Sequence, residues 1–238
     1  MDTSFSPAAA PLSESSTIRF LENLALLKDL DGEAITRIAR GAAESRLPEG
    51  TIVYRQGDMP TGFYLVVDGL VKLSLQTVRG DEKVIELVGR GENFGLAPLV
   101  LGERYTLTAE TIEESLLLPL SRSAILEEVE RNPEFSCRML RDVCRRLESR
   151  TRDFENCMLL SGPQRVTKYL LGRIPKGANG KNVAVMLPAK KGIIASRLNL
   201  THEHFSRVLH EIQAAGLIEV RGREIWMHDV GRLRAYAS

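Results

Sequence analysis

At 238 residues, 43% hydrophobic and 26% charged, the chain has the composition of a globular protein and the length for one large core or two modest ones. No apolar run reaches the length of a bilayer span, so no membrane partner is expected. The net charge of +1 hides an asymmetry: from Ser161 onward there are thirteen Lys/Arg against five Asp/Glu, a net +8, which leaves −7 on the first 160 residues, so only the C-terminal part suits a polyanion.

Residues 1–16, MDTSFSPAAAPLSESS, have neither a basic leader nor an apolar h-region and read as a disordered cytoplasmic tail. Ile18, Leu21, Leu24 and Leu27 make a first helical stripe, and Ile35 with Ile38 a second helix that stops at Gly41. From Leu47 to about Leu120 apolar residues alternate and glycines recur every several positions, which predicts short strands in an antiparallel roll. Asp68-Gly69 and Arg79-Gly80-Asp81 are the expected hairpin turns. The run Leu96, Ala97, Pro98, Leu99, Val100, Leu101 reads either as the wall of an apolar pocket or as core packing.

A short helix from Ser121 to Glu130 should end near Asn132-Pro133, and a long one follows to about Leu160. Cys137, Leu140, Cys144, Leu147, Thr151, Phe154 and Met158 fall at alternating steps of three and four between charged flanks, which predicts the seam of a parallel coiled-coil dimer. Cys137 and Cys144 share one heptad position. Either they pack as small apolar residues or they carry a redox or ligand role, and the same choice holds for Cys157. Three clustered cysteines do not make a secreted disulfide framework and fit a reducing cytoplasm.

Ser161-Gly162-Pro163 is the expected break between domains, followed by a basic helix from Gln164 to Gly172, a loop IPKGANGKN and a short strand from Val183 to Leu187. Pro188-Ala189-Lys190-Lys191 opens a helix through Ile193, Ile194 and Leu198. Asn199 tolerates the left-handed turn after it, and Thr201 caps the next helix with Glu203 in its first turn. That helix buries Phe205, Val208, Leu209 and Ile212 and turns Glu203, Ser206, Arg207 and His210 outward. Helix, turn, helix is a DNA-binding motif. The following LIEVRGREIWMHD reads as two strands with a basic tip, a wing placed to meet phosphates. The expected DNA contacts are therefore Lys190, Thr201, His202, Glu203, Ser206, Arg207, Arg221 and Arg223.

PEGTIVYRQGD, FYLVVDGLVKL and GENFG, within Phe20 to Leu120, resemble the cyclic-nucleotide-binding β-roll of the CRP/FNR family of bacterial transcription regulators. LNLTHEHFSRVLHEIQAAGLIEVRGREI resembles the FNR-type branch, whose recognition helix reads E-x-x-S-R, matched by Glu203, Ser206 and Arg207. The resemblance implies an α+β fold: a tail over 1–16, a β-roll sensor domain with flanking helices over 17–132, a dimerisation helix over 133–160, and a winged helix-turn-helix over 161–238. It implies no catalytic activity and a cytoplasmic regulator whose partners are double-stranded DNA, a second copy of the chain and RNA polymerase. The implied target is a palindrome of TTGAT-type half-sites, with Arg207 on guanine, Glu203 on the opposing cytosine and Ser206 on a thymine. His202 stands where the branch often has Val or Pro, which leaves the outermost base unassigned. Within the branch, regulators of nitrate respiration and nitric-oxide response are the nearest look.

By the same resemblance, cAMP-binding members carry a glutamate for the ribose and an Arg-Ser or Arg-Thr pair for the cyclic phosphate. Here Leu96 stands at the glutamate position and Tyr105-Thr106 near the pair, with Arg104 one place off, where a strand would turn it to the other face. cAMP is therefore not expected, and a cAMP-controlled regulator of the same fold is the alternative. Phe94, Leu96, Leu99 and Tyr105 are the expected effector pocket. No cysteine precedes Cys137, so the family's iron–sulfur mechanism is not expected. All four histidines (202, 204, 210, 228) lie in the C-terminal half, so haem would need Cys137, Cys144, Met59 or the tail as ligand. The cofactor is thus left unidentified and no metal site is expected. An enzyme on a cupin-like roll would need barrel histidines that the first 201 residues lack.

Overall fold

A computed structural model of the chain describes residues 44–76, 82–175 and 180–236, together with residues 18, 20–22, 24, 27, 30–39 and 42. The expected tail, the stop at Gly41 and the Arg79-Gly80-Asp81 turn lie outside the described residues. Among those residues no helix is long and apolar enough to cross a membrane. Two compact units, 1–146 and 147–238, divide the chain.

In the first unit, the leucine stripe is buried at Leu21, Leu24, Leu27 and Leu30, and bonds from Leu24 N to Leu21 O, Leu27 N to Leu24 O and Leu30 N to Leu27 O mark successive tight turns. Helix α1 (Gly32–Ala39) follows, capped by Asp31 Oδ1 accepting from Ala34 N at 2.6 Å. The roll is then built from β1 (Ser45–Leu47), β2 (Ile52–Tyr54), β3 (Phe63–Asp68), β4 (Leu70–Gln76), β5 (Glu82–Gly89), β6 (Asn93–Phe94), β7 (Thr108–Thr111) and β8 (Ser115–Leu120). They form two four-stranded antiparallel sheets ordered β1-β8-β3-β6 and β2-β7-β4-β5.

The two faces of β3 explain its unbroken apolar run. Val66 points between the sheets with Leu47, Val53, Tyr54, Val71, Leu73, Val88 and Ala109, while Phe63, Leu65 and Val67 pack outward against the leucine stripe, α1 and later helices. Those helices are α2 (Leu96–Leu101), α3 (Arg122–Arg131) and the start of α4 (Pro133–Leu159). Ser121 Oγ caps α3 and Asn132 Oδ1 caps α4, where Pro133 takes the first helical place. Glu128 of α3 is buried at 1% exposure and accepts from Arg37 Nε and Nη2 at 3.1 and 3.0 Å, so its charge is paired where it is desolvated.

Asp68-Gly69 is not a hairpin. Strands β3 and β4 belong to different sheets, and the chain turns a corner there with Gly69 at φ 92°. A Cβ at Gly69 would collide with Ser115 Oγ and lie 2.6 Å from Glu114 O and Ser115 Cα, so the corner needs glycine for both conformation and space. Gly69→Ala should lower stability by about 2–4 kcal/mol, combining left-handed strain with overpacking. Urea unfolding followed by far-UV dichroism checks this, and an unshifted midpoint would show that the corner relaxes at no cost.

In the second unit α5 (Gly162–Gly172) starts earlier than expected. Ser161 and Gln164 form a capping box, with Ser161 N donating to Gln164 Oε1 at 2.9 Å, so Gly162-Pro163 lie within the first turn of α5, where proline is tolerated. The remaining elements are β9 (Lys181–Met186), α6 (Lys191–Arg197), α7 (His202–Ala214), β10 (Ile218–Arg221), β11 (Glu224–Asp229) and α8 (Val230–Tyr236). The strands form an antiparallel sheet ordered β10-β11-β9. Phe205, Val208, Leu209 and Ile212 of α7 are buried, as are Val166, Leu170, Ile194, Ile225 and Leu233 around them.

Candidate nucleic-acid interface

The turn between α6 and α7 is locked at every step. Asn199 N donates to Ser196 O at 3.0 Å and Leu200 N to Ala195 O at 2.9 Å, a paired C-terminal cap that requires a left-handed residue, and Asn199 has φ 57°. Arg165 Nη1 of α5 donates to Leu198 O at 2.9 Å and to Asn199 O at 3.3 Å, which takes up two carbonyls that the helix end leaves without intrahelical partners. Thr201 Oγ1 then accepts from His204 N at 3.1 Å and starts α7.

On that anchored helix Glu203 and Arg207 are exposed and Ser206 is half-buried, all on the face opposite the apolar stripe. His202 is exposed beside them. His210 Nδ1 lies 3.0 Å from Ser206 O, so its ring folds back along its own helix. His204 has a role that sequence reasoning missed: a Cβ on Gly162 would lie 2.8 Å from His204 Nε2, so the absent side chain lets this ring sit against the first turn of α5.

The wing is present but its tip differs from expectation. Arg221 does not stand free: Nε and Nη2 donate to Glu219 Oε1 and Oε2 at 2.8 and 2.9 Å, and the guanidinium lies 5.2 Å from the Trp226 ring centroid. Such an exposed pair is solvated, and a phosphate can take the place of the carboxylate. Glu219 beside Arg221 is held below the ordinary carboxylate range by that hydrogen bond. Arg223 is exposed at the tip, and Lys190 is exposed as the residue that precedes α6. The surface offers an arginine fork, a carboxylate and a hydroxyl on a rigid helix with further cations nearby, which is the equipment for reading base edges and holding a phosphate backbone.

Along α4 the expected seam is open to solvent. Leu140, Leu147, Phe154 and Met158 are 64–69% exposed, Cys137 and Cys144 are exposed beside them, and Thr151 Oγ1 turns back to Leu147 O at 3.1 Å. The expected effector residues do not gather round one space. Phe94 and Tyr105 are buried between the two sheets, whereas Leu96 and Leu99 of α2 are buried in the cluster with the leucine stripe and α1. Helix formation causes this separation, because it turns the two leucines of α2 to its buried face.

Between the sheets the structure instead brings together four rings. Tyr54 and Tyr105 stack with centroids 3.5 Å apart, Phe94 lies 5.9 Å from Tyr54, and Tyr64 lies 5.2 Å from Phe94. Tyr105 OH donates to Gly62 O at 2.7 Å, while Arg104 is exposed and donates to Gly57 O at 2.8 Å. Burial pushes the Tyr54 and Tyr105 phenols well above their ordinary pKa, so both rings are neutral fillers of the roll interior.

Comparison with known proteins bears on both halves. Residues 44–132 match the family profile of the cyclic nucleotide-binding domain, and residues 164–236 match that of the Crp-like helix-turn-helix domain. The chain is 23% identical over 215 residues to the CRP-like cAMP-activated global transcriptional regulator of Mycobacterium tuberculosis, covering 90% of this chain and 96% of that protein. It is 28% identical over 191 residues to the Cyclic AMP receptor protein of Thermus thermophilus, covering 80% and 86%. The structure of FixK2 from Bradyrhizobium japonicum is alike in fold, with a TM-score of 0.68 at 23% identity, over 83% of this chain and 98% of that one.

Proposed function

Because the chain belongs to the CRP/FNR family of DNA-binding transcription regulators, with a cyclic nucleotide-binding domain ahead of a Crp-like helix-turn-helix, we propose that it acts as a homodimer whose two α7 helices read a palindrome of TTGAT-type half-sites. One observation carries the reading: Glu203, Ser206 and Arg207 share the outer face of a helix whose start is fixed by Asn199, Thr201 and Arg165. Arg207 suits guanine O6 and N7, Glu203 the amino group of the opposing cytosine, and Ser206 a neighbouring thymine. Lys190, Thr201, His202, Arg221 and Arg223 serve the outer base and the phosphates. Exposed seam residues on α4 are the face for a second copy, which sets the half-sites about one helical turn apart.

The sensed effector acts in the β-roll, and RNA polymerase is the partner at the promoter. Within the family the FNR-type branch fits best, and in it the regulators of nitrate respiration and nitric-oxide response. The names of the two relatives favour cAMP as a second reading. Against it stand Leu96 in place of a ribose acceptor, Arg104 turned outward to Gly57 O, and the stacked Tyr105 in the interior. Fluorescence anisotropy with the full chain, on a TTGAT-type palindrome and on a scrambled duplex at one salt concentration, should give an affinity ratio of roughly 10³ or more. Equal affinities would sink the recognition reading, and a gain on adding cAMP would replace the effector reading by the cAMP one.

A further inference from the structure

A cavity of about 130 Å³ lies in the second unit, lined by the last turns of α4, by α5 and by the end of α6. Its lining carries three cations, Arg165, Lys168 and Arg197, against one carboxylate, Asp153. That carboxylate is already engaged twice, by Arg197 Nη2 at 2.7 Å and Arg150 Nη1 at 3.6 Å. Lys168 Nζ donates to the neutral Asn156 Oδ1 at 2.7 Å, and Arg165 donates only to backbone carbonyls. The lining therefore holds more positive charge than the carboxylates paired with it among the described residues balance.

Two lining residues also carry a buried polar atom with no hydrogen-bond partner, Arg165 Nε and Tyr169 OH. Both are donors, and a buried donor left unmatched is unfavourable unless something accepts from it. Burial raises the Tyr169 pKa, against the opposing pull of Arg173 and Arg197, which keeps the phenol protonated as a donor.

We infer that this cavity is a binding site for a small oxyanion, with a phosphate group as the best match: its oxygens accept from Arg165 Nε and Tyr169 OH while Lys168 balances its charge. The volume is close to that of cavities that admit a benzene-sized guest, roughly 150 Å³, which is room for a single phosphate group. The site shares no lining residue with the expected effector set or with the outer face of α7. Its occupant would be felt at the recognition helix all the same, because the guanidinium whose Nε it accepts from also holds Leu198 O and Asn199 O through Nη1.

The test uses the full chain without DNA, so it stands or falls independently of the recognition reading. Inorganic phosphate is titrated at constant ionic strength against chloride and followed by ³¹P line broadening and calorimetry. Saturable binding is expected, weakened at least tenfold in Lys168→Gln and in Tyr169→Phe and unchanged in Arg90→Gln, which alters an exposed arginine of the first unit. Far-UV dichroism establishes that each variant is folded. Absence of saturable binding in the parent chain, or parental affinity in both cavity variants, overturns the site. Repeating the titration with a saturating palindrome separates the sources: retained phosphate binding assigns the site to a soluble anion, and competitive loss assigns it to a phosphate of the DNA backbone.

Discussion

Arg207→Ala is expected to lose about 1–3 kcal/mol at each TTGAT-type half-site, roughly 5- to 150-fold, while binding to random duplex stays nearly intact. The separation follows from what each contact does. A bidentate fork on guanine O6 and N7 is lost with the base it distinguishes, whereas non-specific affinity comes from phosphate neutralisation, to which one of several cations contributes little. Arg207 is exposed at the outer face of α7, so its removal leaves the buried stripe of Phe205, Val208, Leu209 and Ile212 untouched. Anisotropy on matched and scrambled duplexes at fixed salt measures both terms. Parallel loss on the two duplexes would make Arg207 a phosphate contact.

Leu147→Asp, or Phe154→Glu, should abolish dimers. In a symmetric seam each substitution places two carboxylates against apolar side chains, and an unpaired buried charge costs several kcal/mol. In a single chain Leu147 and Phe154 are 66% and 67% exposed, so neither replacement disturbs the interior of either unit. Light scattering should report one chain per particle with dichroism unchanged, and specific DNA affinity should fall because one copy covers only one half-site. A variant that remains dimeric refutes the seam as the interface.

The helices α7 and α4 were legible because their signals are local. Thr201, Asn199 and the spacing of Phe205, Val208, Leu209 and Ile212 each act within a few residues. The seam depends only on a repeat along one helix. Antiparallel strands were legible from alternation, but which sheet each belongs to was not. Asp68-Gly69 resembles a hairpin turn locally and is a corner because β3 pairs with β8 and β4 with β7, partners distant in the chain.

What escaped depends on contacts between remote segments. Tyr54 and Tyr105 stack across half the roll, and Arg165 reaches the turn after α6. Short helices were also missed. The six residues of α2 are apolar throughout and too few to show a period. The seven of α8 follow β11 without a break, so no turn residue marks its start. Pro163 was read as a stop because proline ends the helix before it, and the same residue opens α5.

The placement of Arg221 over Trp226 has a practical side. Trp226 is the sole tryptophan of the chain, and its indole lies on the wing strand β11 with a guanidinium 5.2 Å from the ring centroid. Whatever draws Arg221 toward a phosphate removes a cation from the face of the only indole chromophore. The wing thereby carries its own optical reporter, spectrally distinct from the tyrosines stacked inside the roll, and engagement of this one hairpin is readable in unlabelled protein.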